Sequence, residues 1–79
     1  DYNSLKSYIL SLAEALPEKR RNVFIKSRFE GFSNKEIADK FGLTKKTVEN
    51  HLNLALKEIK NKMVEKKLPV ILFYFMFLK

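Results

Sequence analysis

"SNKEIADKFGLTKKTVENHL", residues 33 to 52, holds two short apolar patterns separated by one glycine. Ser33 with Glu36 three residues later is the spacing of a capping box, in which two free backbone N–H groups at a helix start are satisfied reciprocally. Ile37, Ala38 and Phe41 then share one face of a short helix. Gly42 supplies the left-handed residue that ends it, Leu43 plugs the angle to the next helix, and Thr44 caps that helix. Ala38 is small, as two helices crossing near a right angle at short range require. This is the spacing of a helix-turn-helix, whose second helix enters the DNA major groove. A plain helical hairpin with no ligand would use the same pattern, and the charge distribution weighs against it.

The chain carries 16 Lys and Arg against 9 Asp and Glu, a formal +7. Residues 17–67 hold fourteen of those cations and seven of the anions, so the whole surplus lies on the segment containing the motif. A polyanion is its natural partner. The 79 residues make one domain at most. With no cysteine, a disulfide framework and a thiolate zinc site are both excluded, in keeping with a reducing, cytoplasmic setting. A chain that starts at Asp1 reads as a piece of a longer protein. Leu5 to Leu16 is no targeting segment, because Lys6, Ser7, Ser11 and Glu14 interrupt it.

Outward from the motif, the expected fold is all-α: a small bundle of four helices containing the helix-turn-helix, over residues 1–67, with an apolar tail over 68–79. Leu5, Tyr8, Ile9, Leu12, Ala13 and Leu16 recur as a single helical stripe. Pro17 stops that helix and suits the first turn of the next, where Glu18 meets the positive helix end. The second helix is expected to run to about Glu30 with Val23, Phe24 and Ser27 inward, and Gly31 to close it.

The last helix divides by angle. At about 100° per residue, Val48, Leu52, Ala55, Leu56 and Ile59 occupy one arc. Lys46, Asn50, Asn53 and Lys57 occupy the opposite side, with Glu49 at its edge. Asparagine pairs with adenine, lysine with guanine or phosphate, and glutamate accepts from a cytosine amino group. Lys46, Thr47, Glu49, Asn50 and Asn53 are therefore the candidate base readers. Lys35, Thr44, Lys45, Lys57 and Lys60 are the candidate phosphate contacts. Lys45 and Lys46 oppose the helix dipole at a cost of a few tenths of a kcal/mol or more, which a phosphate backbone would offset.

The run "LPEKRRNVFIKSRFEGFSNKEIADKFGLTKKTVENHLNLALKEIKNKM", residues 16–63, resembles region 4 of a bacterial RNA polymerase sigma factor of the extracytoplasmic-function type. The features that carry the resemblance are Leu16-Pro17, Arg21 with Phe24, Glu30-Gly31, Glu36-Ile37-Ala38, Gly42, Thr47-Val48 and the basic stretch after Leu56. It implies a C-terminal promoter-recognition domain that contacts the −35 element of double-stranded promoter DNA through Lys45–Asn53. It also implies docking on the β-subunit flap of the polymerase core and, in such proteins, control by an anti-sigma factor. A separate region that melts the −10 element is absent from this chain. Glu49-Asn50-His51 stands where the family often has arginines, so the DNA sequence it reads does not carry over.

The tail, "LPVILFYFMFLK", lies outside the resemblance. Eleven mostly apolar residues span about 16 Å as a helix, half a bilayer core, so it is not a membrane span. It is expected to fold back on its own helices or to mediate self-association. Leu54 points well away from the centre of the buried arc and is poorly explained by packing within the bundle.

Two other functions fit parts of the pattern. The DNA-binding output domain of response regulators and quorum-sensing receptors would share residues 33–52, but such domains usually begin near the Pro17 position. A helical protein-interaction module docking on polymerase or an anti-sigma factor would share the fold, without salt-sensitive DNA binding. No enzyme is encoded: His51 is the only histidine, the serines lack a base, and Glu36 with Asp39 lacks further ligands. No cofactor or metal is expected.

Overall fold

Glycine and proline punctuate the chain, and the helices fall between the punctuation marks. The computed structural model describes residues 2–66. It contains α1 (Tyr2–Ala13), α2 (Glu18–Arg28), α3 (Asn34–Phe41) and α4 (Lys45–Glu65). The expected tail over 68–79, with its packing or self-association, lies outside the described residues.

α1 ends earlier than its apolar stripe. Leu16 is buried, but it is reached by two short turns, Ala15 N–H to Leu12 O and Leu16 N–H to Ala13 O, ahead of Pro17. α2 also stops short, at Arg28 and not Glu30. The Glu30 N–H reaches back to Ile25 O and the Phe32 N–H to Lys26 O, while Gly31 turns left-handed at φ 77°. Ser27, expected inward, is only half-buried beside the fully buried Val23 and Phe24.

α3 opens on the complete capping box. Ser33 Oγ accepts the Glu36 N–H at 3.1 Å, and the Glu36 carboxylate accepts the Ser33 N–H at 2.8 Å. Those bonds hold the Glu36 carboxyl below its ordinary pKa. The helix ends at Gly42, φ 67° and ψ 35°, whose N–H returns to Ala38 O. Leu43 follows, its N–H bonded to the same carbonyl at 2.9 Å.

The core has two parts. One is built on the helix-turn-helix: Val23 of α2, Ile37 and Ala38 of α3, and Val48 and Leu52 of α4, sealed by Phe32, Phe41 and Leu43. The other joins α1 to the far half of α4, with Ile9, Leu12, Ala13 and Leu16 against Ala55, Ile59 and Met63. Phe24 fills its centre and meets Phe29 edge-on at 5.9 Å. α4, like α2, packs against all three other helices, so the bundle orients it directly. Among the described residues no helix is long and apolar enough to cross a membrane.

Candidate nucleic-acid interface

Thr44 begins α4 in an extended conformation, φ −83° and ψ 158°, and its Oγ1 accepts the Thr47 N–H at 3.1 Å. The same hydroxyl donates to Thr47 Oγ1 at 2.9 Å. One orphan donor of the helix start is thus satisfied without any charged group. The first turn contains no acidic residue, while Lys45 and Lys46 stand exposed on it. The positive end of the helix dipole and two ammonium groups therefore coincide, which favours a bound anion.

Further along, Val48, Leu52, Ala55, Ile59 and Met63 form the buried seam. Leu56, assigned to the same arc, is half-buried and packs at its edge. On the other side Lys46, Glu49, Asn50, Asn53 and Lys57 are all exposed. The polar face has the donors and acceptors needed to pair with base edges, and its lysines bracket the two asparagines along the helix. Thr47 is half-buried beside its cap. Lys35 is exposed on the first turn of α3, apart from the α4 face, and Lys60 is half-buried on α4.

One flank of α4 carries contacts that periodicity alone does not reveal. Arg20 Nη1 of α2 donates to Glu58 Oε1 of α4 at 2.5 Å, with both side chains partly buried. Half-buried His51 lies within electrostatic reach of the same arginine and of Lys19. Burial first, then Arg20 and Lys19, push its pKa below the ordinary histidine value. A further depression nearby, between the start of α2 and the end of α3, is lined by Glu18, Lys19, Asn22 and Phe41. The cations of α2 are thus brought beside the second helix of the motif. A face can be read from spacing, but a neighbour 38 residues away cannot.

Arg28 is another residue the sequence does not single out. Its Nε is buried without a hydrogen-bond partner, and burial lowers the guanidinium's pKa. Among the described residues no group of three or more His, Asp and Glu side chains is placed to hold a metal ion.

A family model described as sigma-70, region 4, matches residues 6–59, more than half of the chain. No curated protein and no solved structure matches it.

Proposed function

The chain belongs to the sigma-70 region 4 family, and on that premise we propose that α4 reads the −35 element of promoters served by a sigma factor of the extracytoplasmic-function type. Family membership makes this a helix-turn-helix, promoter DNA-binding domain of a sigma factor, acting with RNA polymerase. The observation that carries the finer reading is the polar face of α4, where Lys46, Asn50, Asn53 and Lys57 stand exposed opposite the buried seam.

On this reading, Asn50 and Asn53 pair with base edges, assisted by Lys46, Thr47 and Glu49. Lys35, Lys45, Lys57 and Lys60 supply phosphate contacts around them, and Thr44 holds the entering turn in shape. The output domain of response regulators is disfavoured because α1 is present, packs its Ile9, Leu12 and Ala13 into the core, and lies largely inside the matched segment. The polymerase β flap and an anti-sigma factor are the protein partners the reading implies.

Selection from a library of random duplexes with the full chain tests it. Enrichment of one short motif is the expected result. A chain that binds all duplexes alike has no base-reading face, and the specific reading then falls.

A further inference from the structure

Leu54 and Val64 are the large apolar side chains that face solvent among the described residues, Leu54 at 44% exposure. Val64 belongs to the last turn of α4, away from the motif. Leu54 lies in its third turn, beside the polar face. A single exposed leucine is ordinary on a protein surface. Its alignment here is not.

Thr47, Asn50 and Leu54 recur at i, i+3 and i+7, the spacing of one continuous stripe along a helix. On the inner side of that stripe the flank is already occupied: His51 is half-buried and Glu58 is bound to Arg20. Leu54 is the first side chain outward of this closed flank, with Asn53 before it and Lys57 one turn on. It has no charge and no donor to offer a phosphate. In the major groove the apolar group on a base edge is the C5-methyl of thymine, and aliphatic side chains recognise it by excluding water from it. A leucine that continues a stripe of base-reading candidates, between cations that hold the backbone close, matches that group in size and polarity.

We propose that Leu54 reads a thymine methyl in the bound duplex and so sets a thymine preference at one position of the site. The inference rests on the base-reading role of α4, and its test separates the two.

The full chain is used to select a preferred duplex from a random library. Each thymine of the winning duplex is then replaced singly by uracil, which removes only the methyl. Wild-type affinity should fall about three- to fivefold at one or more positions, the effect of losing one buried methyl. Leu54→Ala should abolish that sensitivity at one such position and leave the rest of the motif unchanged, while Leu54→Met, which keeps an aliphatic surface, should restore it. Leu54→Ala that retains every uracil sensitivity overturns the proposal, even if it weakens binding to polymerase. A library that yields no motif overturns the base-reading role of α4 and the proposal with it. Leu54 lies outside both core clusters, so the variants should melt as the parent does.

Discussion

The hydroxyl of Thr44 is engaged twice by Thr47, accepting its backbone N–H at 3.1 Å and donating to its Oγ1 at 2.9 Å. The Thr44 proton is thereby committed, whereas the Thr47 hydroxyl does not spend its own proton on that pair, as the proposed contact with DNA requires. The two threonines at the entrance of α4 should therefore separate by substitution. Thr44→Ala should destabilise the fold by about 1 kcal/mol, seen as a Tm lower by roughly 4–8 °C. Thr47→Val keeps the capping N–H and the side-chain shape, so it should melt near the parent yet bind duplex DNA more weakly. Thermal melts and DNA titrations on both variants check this. Equal loss of stability in the two would give the Thr47 hydroxyl to the fold and not to DNA.

Affinity for duplex DNA should be largely electrostatic, because the cationic surplus of the chain lies on residues 17–67. If Lys35, Lys45, Lys46, Lys57 and Lys60 neutralise about four or five phosphates, the logarithm of affinity should fall with the logarithm of salt at a slope near −4. Titrations at several salt concentrations measure it directly. A slope near zero is incompatible with DNA as the main ligand.

Asn50→Ala should cost about 1–3 kcal/mol on the selected site and little on random duplex, since it removes a base-edge pair. Lys57→Ala should weaken both by similar factors, as expected for a phosphate contact. The ratio of specific to random affinity for each variant is the readout. If Asn50→Ala lowers both alike, α4 is seated differently in the groove.

His51 gives the fold a pH dependence of predictable sign. Burial, Arg20 and Lys19 lower its pKa in the folded state, so the unfolded chain takes up a proton first as pH falls. The stability tied to neutral His51 is complete above the ordinary histidine value and is lost as pH falls through it toward the folded value. Glu36, held below its own ordinary value by Ser33, stays ionised through that window. Urea midpoints at pH 7.5 and 5.5 should therefore differ in the parent and converge in His51→Gln. An unchanged difference in His51→Gln would place the titrating group elsewhere.

Both ends of α3 and the start of α4 were legible in the sequence because caps are local. Ser33, Glu36, Gly42 and Thr44 each act within a few residues, and all four are found in the expected role. Faces were legible too: the stripe on α1 and the seam on α4 follow from period alone, although Met63 extends the seam one turn beyond the expected arc. The C-terminal ends of α1 and α2 were not, since turns that carry Leu16 and Phe32 inward preserve burial while abandoning helical geometry. Nor were the Arg20–Glu58 pair and the setting of His51, which depend on how α2 is placed against α4. The residues proposed to meet DNA are visible as an outward face, but the order of bases they meet is not written in that face.

α4 runs unbroken from Lys45 to Glu65, with no glycine or proline inside it, and joins both core clusters. It behaves as a shaft carried on two bearings, one beneath the motif and one against α1. The distance from Met63 to Lys46 along such a shaft is about 25 Å, so a tilt of about 5° imposed at the α1 end moves the entering turn by about 2 Å. That displacement is enough to break a base-edge hydrogen bond, whose useful range is only a few tenths of an ångström. On the proposed reading, a protein that grips this domain around α1 would hold the aim of its reading turn without touching DNA.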